Sequence, residues 1–367
     1  MYSSYQILLA IGMVVTGSIN TLSVKWADKL QAKGSDDKER SFNHPFFQSL
    51  TMFFGEFLCL LFFKLAYRYH LKRQYSIEDS PIVKGNQHFN PFLFFVPAMF
   101  DMVATTLMYI GLTMTYASSF QMLRGAVIIF TAIFSKIFVH RQVSIRHWLG
   151  IFTIIIGLAT VGASDLLSSS KSSTNSVNEI IIGDLLILAA QILTAAQMVY
   201  EEKYVVTNDI PPLQAVGWEG VFGFLIMSLL LVPFYYIHVS PPLAGNNSRG
   251  VIEDFPEAII QIMNNKWILV ALIGNIISIA YFNFSGVSVA KEISATTRMV
   301  LDSVRTFFIW IFSLAVGWQT FDPLQPVGFL LLLIGMCIYN NLLRAVPRRL
   351  RTVVHYPTDE PIIGGQP

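Results

Sequence analysis

Long apolar stretches, each close to the length of a bilayer crossing, alternate with polar breaks along most of the chain. A transmembrane helix needs about twenty mainly apolar residues. Ten segments qualify: 5–25, 46–66, 92–113, 117–138, 146–164, 180–202, 214–236, 267–288, 295–317 and 325–345. A few residues near Thr115 and Tyr116 separate the third from the fourth, and the eighth and ninth meet around Lys291 and Glu292. Each of these pairs is predicted to fold as a tight helical hairpin. The pattern predicts an all-α polytopic membrane protein, and the polar stretches 26–45 and 67–90, which lack apolar periodicity, read as flexible connectors.

The chain repeats itself. Residues 123–157 laid over 301–335, at a constant offset of 178, match at Leu123/Leu301, Phe130/Phe308, Ile133/Ile311, Phe134/Phe312, Ser135/Ser313, Gly150/Gly328, Ile156/Ile334 and Gly157/Gly335. The fourth and fifth segments thus correspond to the ninth and tenth. Five is odd, so equivalent helices cross in opposite directions, the arrangement of inverted-repeat carriers. The fold predicted is ten transmembrane helices as two inverted five-helix repeats, 1–164 and 180–345, followed by a cytosolic tail, 346–367. The four paired glycines are assigned to close helix packing.

Basic residues set the orientation. With both termini in the cytosol, fourteen Lys and Arg fall on the cytosolic side and eight, mostly Lys25, Lys29, Lys33, Lys38 and Arg40 of the first loop, on the other. Asn246-Asn247-Ser248 is then a lumenal glycosylation sequon, with Asn246 as acceptor. In the tail, Asp359-Glu360-Pro361-Ile362-Ile363 loosely follows acidic dileucine sorting signals. It favours an endolysosomal membrane, with Golgi and mitochondrial membranes as alternatives.

Composition narrows the function. Hydrophobic residues make up 53% of the chain and charged ones 13%, against roughly 25% charged in soluble domains. Mean hydropathy is +0.54. A net charge of +2 suggests no nucleic-acid partner. Cys59 and Cys337 sit inside apolar segments, and the seven histidines fall in loops or at helix ends, so neither a disulfide framework nor an intramembrane metal site is predicted. No phosphate-cradling Gly-x-x-x-x-Gly-Lys-[Ser/Thr] occurs and no nucleophile recurs with a base inside the spans. The reading is therefore not an enzyme, with no cofactor and no ATP-driven pumping.

Charges inside the spans carry the candidate chemistry, because each costs about 2.5 to 3.5 kcal/mol at mid-bilayer unless it faces a cavity or a partner. They are Glu56, Asp101, Arg124, Glu219, Arg298, Asp302 and Arg305. Steps of four and three put 298, 302 and 305 on one helical face, where both arginines can approach Asp302. The repeat offset sets Arg124 opposite Asp302, a charge-swapped equivalent. Arg124, Arg298 and Arg305 are suited to bidentate contact with phosphate or carboxylate oxygens. Glu56, Asp101 and Glu219 would balance charge or carry a coupling proton. The same residues could instead bridge helices structurally. Gln121 and Asn283, with Asn20, Gln191, Gln197 and Asn275, add orienting amides.

Three stretches carry a family resemblance: Val15-Thr16-Gly17-Ser18-Ile19-Asn20-Thr21-Leu22-Ser23 running to Lys25-Trp26-Ala27-Asp28; Ser118-Ser119-Phe120-Gln121-Met122-Leu123-Arg124-Gly125; and Lys291-Glu292-Ile293-Ser294-Ala295-Thr296-Thr297-Arg298. On these the chain resembles the drug/metabolite transporter superfamily, and within it the F subgroup of the nucleotide-sugar-transporter-like solute carrier family 35. The resemblance implies a carrier with a central cavity between its halves, moving a small-molecule substrate across a lipid bilayer by alternating access. Nucleotide sugars are the first substrates to consider, although the Gly-Ala-Leu-Asn-Lys type of signature of GDP-mannose carriers is missing from the ninth segment. The alternative is a non-transporting regulatory protein partnering another carrier; a homodimer is also allowed for.

Overall fold

A computed structural model describes residues 3–73, 80, 82–115, 120, 122–138, 144–172, 177–239, 247, 249–293, 295–318 and 323–339. Among them are eleven α-helices: α1 (Ser4–Lys29), α2 (Pro45–Arg73), α3 (Phe95–Met114), α4 (Val127–Phe138), α5 (Ile145–Ser172), α6 (Val177–Thr207), α7 (Pro212–Tyr236), α8 (Phe255–Asn264), α9 (Lys266–Glu292), α10 (Ala295–Ala315) and α11 (Leu324–Tyr339). Six stretches, namely Ser4–Lys29, Pro45–Arg73, Pro91–Leu112, Asn178–Val205, Pro212–Tyr236 and Lys266–Glu292, are long and apolar enough to cross a membrane. Two shorter apolar helices, Ile145–Val161 and Leu324–Tyr339, accompany them. Leu8, Leu229 and Phe92 stand largely exposed on helix flanks, as lipid-facing side chains of a multi-pass membrane protein do.

Every predicted segment meets a helix; several helices run on past the apolar runs, whereas α10 stops at Ala315 and α4 begins only at Val127. The first gains a turn through Lys29, whose α1 begins in a capping box between Ser3 and Gln6. The sixth extends through Thr207, which carries the helix five residues past Glu202. Residues 340–345 of the tenth segment, the 346–367 tail with its sorting-like signal, Asn246 and Gln121 lie outside the described residues.

The helices pack in pairs, α1 along α9, α2 along α7, α3 along α6 and α5 along α11. Lipid tails are as apolar as leucine, so close backbone approach at small residues takes the place of hydrophobic drive. Gly150 faces Gly335 and Gly157 faces Gly328 across α5 and α11. A methyl group at Gly150 would sit 2.8 Å from the Gly335 carbonyl oxygen, and one at Gly157 would sit 2.9 Å from that of Gly328. Met122, Ile128, Ile151, Ile154, Trp310 and Leu332 form the core shared by α4, α5, α10 and α11.

The first loop is not the flexible connector predicted. Gln31–Lys33 and Glu39–Ser41 pair as an antiparallel hairpin, β1 and β2, turning through Asp37 with a left-handed φ of 59°. The hairpin lies against α8, a helix the hydropathy pattern did not predict because ten residues are too short to span. Glu257 of α8 receives the Ser35 amide at 3.0 Å and Arg40 at 3.4 Å. Glu253 receives the Phe46 and Phe47 amides, capping α2 from the far half of the chain, and contacts His44 at 2.6 Å. The hydrogen bond from Arg40 holds the Asp36 carboxyl below the usual carboxylate range. Hairpin and α8 form a polar cap over one end of the bundle.

Candidate functional site

A cavity of about 390 Å³ lies among α1, α2, α3, α4, α6, α7, α9 and α10. Its lining runs from Lys25 and the exposed Lys29 at the C-terminal end of α1 to the buried Glu219 and Arg298. Of the sequence-predicted residues, Asp101, Arg124, Glu219, Asn283, Arg298, Asp302 and Arg305 line it. Glu56 does not; it sits behind the wall, 1% exposed, and accepts the Asn283 amide at 2.5 Å.

Helix α10 supplies the charged face. Arg305 Nη2 lies 2.6 Å from Asp302 Oδ1, and Arg124 Nη2 lies 3.9 Å from Asp302 Oδ2, so one carboxylate is shared by the two arginines that the repeat and the helical spacing put near it. Arg305 also donates to the Gly17 carbonyl at 3.1 Å and to the Thr21 hydroxyl at 3.4 Å, and stacks 4.5 Å from the Phe282 ring centroid. These contacts fix a 2% exposed guanidinium between α1 and α9. Gly17 is needed there, because a methyl group would meet the Arg305 side chain at 2.5 Å.

Arg298 turns the other way. Its Nη1 donates to Glu201 Oε2 at 2.7 Å, with both side chains buried. Glu56, Asp101, Glu201 and Glu219 share one electrostatic neighbourhood with it. Thr105 donates to Asp101 at 3.3 Å. Glu219 Oε1 and Glu56 Oε2 are buried and have no hydrogen-bond partner among the described residues. At this end of the bundle Lys291 Nζ meets Asp209 at 2.7 Å and the Ile210 carbonyl at 3.0 Å, tying α9 to the α6–α7 turn.

Sequence reasoning missed Glu201, Lys25, Lys29 and Asp28. Glu201 stands beside Glu202 and Lys203 and so resembled the end of a span; Lys25 and Asp28 resembled loop. The signal available was a deficit: Arg298 one turn into its helix called for an acid. Asp28 receives Gln48 at 2.7 Å, and Lys25 reaches Ser313 at 3.2 Å. Lys25 and Lys29 both stand over the Trp318 ring, 5.7 and 5.8 Å from its centroid. Of the amides, Asn20 and Asn275 pair at 2.5 Å between α1 and α9, and Gln191 and Gln197 line the wall.

The chain is 52% identical to the human protein Solute carrier family 35 member F6 over 99% of its own length and 97% of that protein's. It belongs to the F subgroup of solute carrier family 35. The family described as CRT-like, chloroquine-resistance transporter-like, matches residues 7–248, placing the chain within the drug/metabolite transporter superfamily. A UDP-galactose transporter of Schizosaccharomyces pombe is 23% identical over 67% of this chain and 64% of its own. A solved crystal structure, 12% identical, superposes with a TM-score of 0.54 over 94% of this chain and 99% of that one, a likeness of fold. The family makes the chain a membrane transporter, and Asp101, Arg124, Glu219, Arg298, Asp302 and Arg305 line a cavity in it.

Proposed function

We propose that the protein is a secondary-active or exchange carrier that moves a small polar metabolite by alternating access between two inverted five-helix repeats. The observation that carries this reading is the cavity itself, to which α1, α2, α3 and α4 contribute from one half and α6, α7, α9 and α10 from the other. Exchanging each helix for the one five segments on turns the α1–α9 pair into the α6–α3 pair and returns α2–α7 and α5–α11 to themselves. The same exchange maps the Gly150–Gly335 contact onto Gly328–Gly157. Both regularities support a two-fold relation between the halves, and the matching glycines of the sequence repeat acquire a packing reason.

In this reading Arg124, Arg305 and Asp302 bind substrate at mid-membrane, while Glu56, Asp101 and Glu219 balance charge or carry a coupling proton. Arg298–Glu201 and Lys291–Asp209 close the end away from Lys29. With the termini cytosolic, that closed end faces the cytosol and the cavity opens to the lumenal side of an endolysosomal membrane. A non-transporting partner of another carrier would have its charges locked in mutual pairs with no cavity, so the cavity favours transport. The UDP-galactose transporter among the relatives supports nucleotide sugars as a second substrate reading.

The test is uptake of labelled nucleotide sugars, nucleotides, amino compounds and small cations into proteoliposomes holding the purified protein, with and without a pH gradient. Saturable uptake lost in Asp302→Asn supports the reading. No uptake from folded protein by any member of the panel favours the regulatory alternative.

A further inference from the structure

We propose that the transported molecule is dipolar, with a cationic end seated toward Asp101 and Glu219 and an anionic end toward Arg124 and Arg305; this rests on the carrier reading and names its substrate class. Acids and bases concentrate at opposite ends of the lining and of the buried shell behind it, where Glu56 and Glu201 stand. At the inner end, four carboxylates (Glu56, Asp101, Glu201 and Glu219) surround the single guanidinium of Arg298. Toward the mouth, four bases (Lys25, Lys29, Arg124 and Arg305) face two acids, Asp28 and Asp302. Seven residues of α10 separate Arg298 from Arg305, so the two poles are about 10 Å apart along the helix axis.

Each pole has spare capacity. Glu201 already neutralises Arg298, the one base acting on Glu56 and Glu219, while Asp101 also feels Arg124 from the other pole. Glu219 lines the cavity 7% exposed, with Oε1 lacking a hydrogen-bond partner among the described residues. At the other pole one Asp302 carboxylate is divided between two arginines, and the Arg124 contact is the long one at 3.9 Å. A buried charge left unmatched is costly, and complementary potentials fix orientation. A nucleoside diphosphate would satisfy the basic pole while presenting further negative charge to the acidic one. A simple cation would do the reverse. A molecule carrying an ammonium and a carboxylate, separated by several bonds, satisfies both.

The test uses purified full-length protein in nanodiscs and the thermal midpoint as readout. The probes are linear ω-aminoalkanoates of four to eight carbons, the amide and the N-acetyl derivative of each, and UDP. At least one aminoalkanoate is expected to raise the midpoint saturably at concentrations tenfold or more below both of its singly charged derivatives. Asp101→Asn should abolish the advantage over the N-acetyl form, and Arg124→Gln the advantage over the amide. Each variant is first compared without probe to establish folding. If no aminoalkanoate exceeds its own derivatives, or if UDP binds more tightly than all of them, the proposal is overturned. Saturable uptake of an anion in the proteoliposome assay would leave the carrier reading standing in that case.

Discussion

Arg298 on α10 and Glu201 on α6 meet at 2.7 Å between buried side chains, joining the ninth and sixth of the predicted segments. Removing one partner of such a pair strands a charge and costs about 3 to 5 kcal/mol, whereas replacing both with apolar groups is far milder. Glu201→Gln should therefore lower the thermal midpoint in detergent more than the double change Glu201→Leu/Arg298→Met. If the double variant is the less stable, the pair contributes net stability and the stranded-charge account fails.

The reciprocal glycines give a steric prediction. Gly157→Ala sets a methyl group against backbone, 2.9 Å from the Gly328 oxygen and 3.0 Å from the Leu332 nitrogen. Overpacking of that kind costs about 1 to 3 kcal/mol. Gly125→Ala meets only side-chain carbons at 3.6 Å or more and should be close to neutral. Thermal melts of the two variants side by side check this, and equal losses would argue against α5–α11 packing through these glycines.

The cap over the mouth end is held by carboxylates from one half of the chain acting on amides of the other. Glu253→Gln weakens the hydrogen bonds to the Phe46 and Phe47 amides, and loss of a helix cap costs about 0.5 to 2 kcal/mol. Hydrogen exchange should accelerate in the first turn of α2 and in the hairpin, with α5 and α11 unchanged. Uniform acceleration throughout would mean the cap does not act locally.

Lys291 and Asp209 form a different kind of pair, since the Asp209 side chain is 63% exposed. Such pairs contribute about 0 to 1 kcal/mol. Asp209→Asn should leave the melting midpoint nearly unchanged while loosening closure of that end. The check is faster thiol labelling, from the α6–α7 turn side, of a cysteine introduced at Gln197 on the cavity wall. Unchanged labelling would remove the pair from any gating role.

The helices were legible because apolar runs of bilayer length leave little choice, and the polar stripe of α10 because 298, 302 and 305 obey helical spacing. The mouth was not. Counting apolar residues stops at the first charges, so the first and sixth spans ended at 25 and 202, leaving Lys25 and Glu201 at their edges and Asp28 outside, while the helices continue past them. The hairpin has no alternating pattern to announce it, and its order comes from Glu257, more than two hundred residues away in sequence. α8 did leave a trace, since Asp254 before Phe255-Pro256-Glu257 is a cap followed by a helix-start proline. Helical spacing let Arg298 approach Asp302, yet its ion-pair partner at 2.7 Å is Glu201 on α6. Spacing along one helix cannot report what a neighbouring helix presents.

The central claim is that one cavity is reached from both sides in turn, and the direct measurement is sidedness of labelling at Thr194, which lines that cavity. Thr194→Cys is placed in a background with Cys59→Ser and Cys337→Ala, reconstituted in one orientation, and treated with a membrane-impermeant thiol reagent added outside or trapped inside. Alternating access predicts labelling from either side, each saturating with time. Labelling from the Lys29 side alone, however long the exposure, would contradict it.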